Sequence, residues 1–264
     1  MLTGAIQLVE QGNPSNVTGV GNSANVSESK EAITPMPIGA IQQVEQGNSS
    51  NHPGRDNAGS HDHAMYAVLL KAVQSGNLKA VQDFLKLHPE ATGAKVTWRN
   101  ETALHIAVFA KKTHIIEELV TVMSPEDLAI RDRYGYTALA RAAASEDYRM
   151  AECMIRKNPT LLSISRQNGP QGYIPVVSAT NLGNEEMTRY LYSCTPLQYL
   201  ELGKSCNDAS LVSEALLSGY FDIALDLIER CPRLARARDR YNRSPLYALT
   251  SMPKAFPSRN RLMY

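Results

Sequence analysis

The chain lacks most of what would make it an enzyme, a membrane span or a secreted scaffold. Cysteine occurs only at Cys153, Cys194, Cys206 and Cys231, with no Cys-x-x-Cys spacing, so neither a zinc knuckle nor a redox pair is predicted. Cys153 and Cys231 fall in or beside apolar helical patterns, where a thiol behaves as a small hydrophobe. Charge of one sign is also missing. With 27 Lys+Arg against 26 Asp+Glu, there is no overall field to hold nucleic acid or an anionic membrane, and no nucleic-acid partner is expected. No eighteen apolar residues occur in succession, and the first thirty residues lack a basic start followed by an apolar run. A soluble, cytoplasmic chain without a membrane span is therefore predicted. Without a secretory route, the Asn-x-Ser/Thr triplets at Asn16, Asn25 and Asn48 carry no glycan meaning. Gly-x-Ser-x-Gly elbows and Gly-Lys-Ser/Thr phosphate loops are absent, and Gly19-Val20-Gly21 has no strand before it or helix after it. His61-Asp62-His63 has no third ligand in view and reads as a solvated polar run. Catalytic residues, cofactors and metals are all expected to be absent.

What is present is a period. Leu69, Leu104, Leu139, Val176, Val212 and Leu246 are equivalent positions spaced by 35, 35, 37, 36 and 34 residues, the mark of a stacked solenoid rather than a globule around one core. Three places after the first five anchors stand Ala72, Ala107, Ala142, Ala179 and Ala215, small enough for a first helix to approach its neighbour closely. Seven places after the anchor come Gly76, Lys111, Glu146, Gly183 and Gly219, and the three glycines suit a left-handed helix end. A second amphipathic helix follows, with stripes such as Leu78, Val81, Phe84, Leu85, then Ile115, Ile116, Leu119, Val120, and then Ile223, Leu225, Leu227, Ile228. Pro89, Pro125, Pro159, Pro196 and Pro232 stop each second helix. Four places before the anchors lie Asn100, Gly135, Gly172, Asp208 and Asn242, types fit for positive φ in a tight turn between copies.

The array spans about 62–250 as five copies and a partial sixth, followed by an irregular end at 251–264. Residues 1–61 form a Gly/Asn/Ser-rich tail that cannot bury enough apolar surface to offset an ordering entropy of about 1–2 kcal/mol per residue, so disorder is predicted there. The tail holds a duplication, Gly4–Asn13 returning as Gly39–Asn48, which reads as a linker or a linear docking motif.

The stretches Thr102-Ala103-Leu104-His105-Ile106-Ala107 and Asp132-Arg133-Tyr134-Gly135-Tyr136-Thr137-Ala138-Leu139 resemble ankyrin repeats. Tetratricopeptide repeats share the period but lack a turn before the first helix. The resemblance implies an all-α repeat solenoid, an ankyrin stack with short β-hairpin loops, and a role in binding other proteins. Only the second copy keeps the histidine, His105, which implies softer loop-to-loop bonding near residues 165 to 210. The opening copy, from Leu69-Leu70-Lys71-Ala72 to Leu87-His88-Pro89-Glu90-Ala91, and Cys231-Pro232-Arg233-Leu234-Ala235 resemble plant ankyrin-repeat proteins with a membrane-spanning PGG domain, of the accelerated-cell-death and salt-tolerance types. That likeness implies a protein-interaction scaffold in stress or defence signalling, placed at the cytosolic face of the plasma membrane when the tether is present. This chain has no Pro-Gly-Gly triplet, so a truncated piece of such a protein is the alternative, its last stacked face uncapped.

The expected partner is an unidentified protein, and the chain is expected to be monomeric on its own. The hairpin tips and first helices of such stacks line a concave face. The candidate partner-binding residues there are Trp98, Arg99, Phe109, Arg133, Tyr134, Tyr136, Tyr173, Arg240, Tyr241 and Arg243, types enriched at binding hot spots. The Arg-Asp-Arg-Tyr tetrads at Arg131–Tyr134 and Arg238–Tyr241 present the same surface twice. Asp132 and Asp239 are expected to close their own turns. For the flanking Arg and Tyr two readings stand, partner recognition or simple solvation of the edge.

Overall fold

Helical pairs stack in series, and each pair is a repeat of the sequence period. The computed structural model describes residues 58–166, 172–200 and 206–252, with backbone alone for 58–64. The duplicated tail segment and the His61 and His63 side chains lie outside the described residues, as do 167–171 and 201–205 within the stretch expected to be soft.

The inner layer consists of α1 (Ala58–Ser75), α3 (Ala103–Phe109), α6 (Ala138–Ala142), α8 (Pro175–Asn181), α10 (Asn207–Ser218) and α12 (Pro245–Thr250). The outer layer consists of α2 (Leu78–Leu87), α4 (Thr113–Val122), α7 (Arg149–Lys157), α9 (Glu185–Cys194) and α11 (Phe221–Arg230), with the one-turn α5 (Pro125–Leu128) after α4. Inner helices contact in chain order, α1 with α3, α3 with α6, α6 with α8, α8 with α10 and α10 with α12, and in the outer layer α4 packs between α2 and α7. The small residues behave as the period demands: Ala72, Ala107, Ala142, Ala179 and Ala215 are all buried. The first five anchors are buried to 1% exposure or less, whereas Leu246 is 68% exposed. The reason is positional: each anchor is covered by the following pair, and among the described residues no further pair packs on α12.

Proline ends each outer helix and then begins something the sequence pattern did not announce. Pro89, Pro159 and Pro232 open 3-10 turns at Pro89–Thr92, Pro159–Ser163 and Pro232–Arg236, and Pro125 opens α5. Proline's missing N–H is harmless at such a first position, where that group has no intrahelical acceptor. These turns bury Ala91, Leu128, Leu161 and Leu234 under the stack.

Two expectations change. Leu225 is exposed, and Ala224 takes its place in the core, because the α11 stripe follows Ile223, Ala224 and Leu227 at helical spacing. Asp208 sits inside α10 instead of in a turn: that helix begins five residues before its anchor, where the other short inner helices begin one before. The tips are hairpin turns, with no strand among the described residues. One rung closes each, Val96 N–H to Glu101 O at 2.8 Å, Asp132 N–H to Tyr136 O at 2.8 Å and Asp239 N–H to Arg243 O at 3.0 Å.

Positive φ appears at Asn100 (58°), Gly135 (83°) and Asn242 (62°) before the inner helices, and after them at Gly76, Gly183, Gly219 and Lys111 (53°). Lys111 bears a Cβ in a conformation that disfavours one. At Gly135 a Cβ would fall 2.2 Å from the Arg166 carbonyl oxygen. Opposite outcomes are therefore expected in urea unfolding: Lys111→Gly raises the unfolding free energy by about 0.5–1 kcal/mol, while Gly135→Ala lowers it by about 2 kcal/mol or more.

Candidate protein-binding surface

Each described tip is organised by an acceptor seven places before the anchor. In the third copy this is Asp132, 5% exposed. Its Oδ1 accepts the backbone N–H groups of Tyr134 (2.8 Å) and Tyr136 (2.9 Å), and its Oδ2 accepts from Arg141 Nε (2.9 Å) and Nη2. Asp239 repeats the arrangement: Oδ1 accepts from Tyr241 N–H (2.9 Å) and Arg243 N–H (2.8 Å), and Oδ2 from Arg243 Nε (2.7 Å). Thr97 fills the position in the second copy, its hydroxyl accepting from Arg99 and Glu101 N–H and donating to Glu101 Oε2 at 2.8 Å. Such side-chain acceptors mimic a backbone turn and hold the loop in one shape.

The tips are also tied to each other. Arg133 N–H donates to Arg99 O at 2.7 Å, and Arg131 Nη1 to Ser165 O at 2.7 Å. Beneath them, His105 joins the second copy to the third. Its Nδ1 accepts from Thr102 N–H (3.2 Å) and lies 2.8 Å from the Thr102 hydroxyl, which leaves Nε2–H to donate to Tyr136 O at 3.1 Å. That is the neutral tautomer, satisfied on both nitrogens. In a later copy Asn207 supplies a comparable link, its Oδ1 accepting Ile174 N–H at 3.0 Å.

The ten candidate residues divide into three groups. Trp98 (64% exposed), Tyr134 (47%), Tyr241 (57%) and Phe109 (43%) present large rings to solvent, and Arg133 and Arg240 are exposed beside them. Arg99 and Tyr173 are half-buried. Tyr136 and Arg243 are not free surface, which corrects the sequence reading. Tyr136 is 5% exposed, its ring lying 4.0 Å from the Arg141 guanidinium and 4.8 Å from that of Arg166. Arg243 is held by Asp239 and by Glu214 Oε1 at 2.6 Å.

The residues missed are Arg141 and Glu214, both two places after their anchors in the inner helices. A charge at a core-facing position was the signal available. They show that the two matching tetrads recruit their balancing charges differently. Asp132 is neutralised from the helix behind it, and Asp239 from its own loop.

The exposed rings are arranged under cations. Arg99 and Arg133 lie 4.9 and 5.7 Å from the Trp98 ring centre. Arg141 stands 5.3 Å from that of Phe109 and 5.8 Å from that of Tyr134. Arg240 lies 4.8 Å from Tyr173 and 5.1 Å from Tyr241, and Arg243 lies 4.8 Å from Tyr241. Such stacking, worth about 0.5–1 kcal/mol at exposed sites, fixes side chains that would otherwise have to be ordered on binding.

These features, helical pairs joined by acid-closed tips and a histidine bridging one copy to the next, correspond to a known repeat. Residues 69–163 match the family model for ankyrin repeats in three copies. The chain contains ankyrin repeats. The matched ankyrin copies run from the α1 anchor to the 3-10 turn ending at Ser163, and α8 to α12 continue the same stack beyond them. No curated protein matches the chain. Ankyrin repeats typically serve as protein-interaction modules. Among the described residues no group of three or more His, Cys, Asp or Glu is placed to hold a metal, and no helix is long and apolar enough to cross a membrane. Burial pushes the Cys153 thiol up to about 11, which favours the thiol over the nucleophilic thiolate near neutrality.

Burial also holds His105 below its usual 6.5, outweighing the hydrogen bond to Tyr136 that pulls the other way. A histidine with a depressed folded value stabilises the native state fully above the unfolded value and loses that contribution as pH falls below it. Stability followed by urea unfolding should decline from about pH 6.5 towards pH 5, and His105→Gln should flatten that slope while lowering stability at pH 7.5 by about 1–2 kcal/mol.

Proposed function

We propose that this chain is a protein-binding scaffold whose partner lies across the tips of the stack, on Trp98, Arg99, Arg133, Tyr134, Tyr173, Arg240 and Tyr241, with Phe109 at the edge. The observation that carries the reading is the exposure of Trp98, Tyr134 and Tyr241 on turns held rigid from within. Water-exposed aromatic rings on an ordered frame supply contact area at small entropic cost when covered by a partner. A tip needed only for solubility would do better with Lys or Glu. The resemblance of the opening copy to plant PGG-domain proteins supports stress or defence signalling as the setting, with the stack acting in the cytoplasm at a membrane face.

Immobilised wild-type chain should retain a plant-extract protein that is lost when Trp98, Arg133, Tyr134, Arg240 and Tyr241 are replaced together by Ala. The loss should be at least about tenfold. Leu225→Ala on the outer face should change nothing. All the replaced tip residues are exposed, so the tip variant should remain folded by circular dichroism, melting somewhat lower than the wild type for the loss of its ring–guanidinium contacts. Undiminished capture by the tip variant would remove these residues from the binding face.

A further inference from the structure

Charge in the tips is sorted by depth. The carboxylates of the described tips point inward: Glu101, Asp132 and Asp239 are each 4–5% exposed and spent on Thr97, Arg141 and Arg243. The guanidiniums of Arg133 and Arg240 point outward and, among the described residues, meet rings rather than carboxylates. A chain of near-zero net charge thus carries a cationic edge whose own acids cannot neutralise it.

We propose that the tip surface receives an acidic segment of another protein, an extended stretch with several Asp or Glu carboxylates. This rests on the tips being the binding face and adds the chemistry of the partner. A guanidinium lying over a ring keeps its N–H edge free, and that edge matches a carboxylate in a two-point hydrogen bond. The ring beneath fixes the plane of the fork. The same stacking argues against nucleic acid. Bases bind aromatic platforms through open ring faces, and here Trp98 is already accompanied by Arg99 and Arg133, and Tyr241 by Arg240 and Arg243. The two Arg-Asp-Arg-Tyr turns offer equivalent forks in different copies, which suits a linear segment with repeated carboxylates.

Trp98 is the chain's single tryptophan and is 64% exposed, so its fluorescence reports on this surface. The full chain is titrated with a fluorescein-labelled Asp/Glu-rich peptide of about twelve residues, long enough when extended to reach between neighbouring tips, reading Trp98 emission and peptide anisotropy together. A saturable response in both is expected, weakened about tenfold or more by salt raised from about 0.05 to 0.5 M and by Arg133→Glu or Arg240→Glu. Arg156→Glu on the outer helix α7, away from the tips, should leave it intact, and circular dichroism should show all three variants folded. Equal binding of the Asn/Gln counterpart peptide, or tighter binding of a single-stranded oligodeoxynucleotide, overturns the acidic partner. If the acidic peptide gives no saturable response while the alanine-substituted tips still lose their extract partner, the acidic class falls and the tip surface stands. If neither responds, both fall.

Discussion

The stack depends on one constraint: a short helix leaves carbonyls unpaired at its C-terminal end, and the next repeat satisfies them. Gly76 O accepts from His114 Nε2 at 3.0 Å, Ala143 O from Asn184 Nδ2 at 3.0 Å, Thr180 O from Ser218 Oγ at 3.0 Å and Gly183 O from the Tyr220 hydroxyl at 2.8 Å. On the outer layer Lys157 Nζ donates to Val120 O and Thr121 O at 2.7 and 2.8 Å. In every case donor and acceptor are separated by about one period. Helices of five to ten residues are too short to persist alone in water, so the repeat is stable only in company. Burial follows the same rule, since an anchor with a following pair is sealed and Leu246, which has none packed on it among the described residues, is open.

That dependence shapes the surface. Because the repeats are locked through their backs and cores as well as by the tip-to-tip hydrogen bonds, Trp98, Tyr134 and Tyr241 stay free of packing while Tyr136 and the loop-closing side chains turn inward. Asp132 and Asp239 do that work from the same place in their turns, and each needs an arginine to balance a buried charge. Arg141 does so from an inner helix, at the position where the fifth copy carries Glu214, and Glu214 in turn shares Arg243 with Asp239. The alternation of charge at one inner-helix position thus helps decide which tip arginines are consumed and which remain outside over Trp98, Tyr173 and Tyr241.

The outer layer is held less uniformly. The second, fourth and seventh helices pack in series. Further along, the seventh and ninth meet through the Tyr148 and Tyr190 rings, 5.2 Å apart, and the ninth and eleventh through Arg189 to Asp222 at 2.5 Å and the Tyr192 hydroxyl to Asp226. The Arg189–Asp222 pair is largely exposed, where an ion pair contributes at most about 1 kcal/mol. Cohesion at that end rests chiefly on the inner layer, in which the long tenth helix buries nearly its whole length against the eighth and twelfth.

By itself the sequence determined the period, the order of helices, the small residues at the inner contacts, the proline stops and the glycine helix ends, because each is a local consequence of backbone freedom or of side-chain size repeated at equivalent places. It also marked Asp132 and Asp239 as turn closers, since an Asx turn is made within a few residues. The tertiary structure alone decided which aromatic and basic side chains stay outside. Tyr136 and Tyr134 are two residues apart in one turn, and the first is covered because Arg141 and Arg166 close over it from other elements. Arg243 and Arg240 differ likewise, through Glu214 in the preceding copy. Exposure at a tip is set by the side chains that the inner helix behind it, the turn's own acid and the neighbouring repeat bring together, and spacing within the turn does not record which of these will meet.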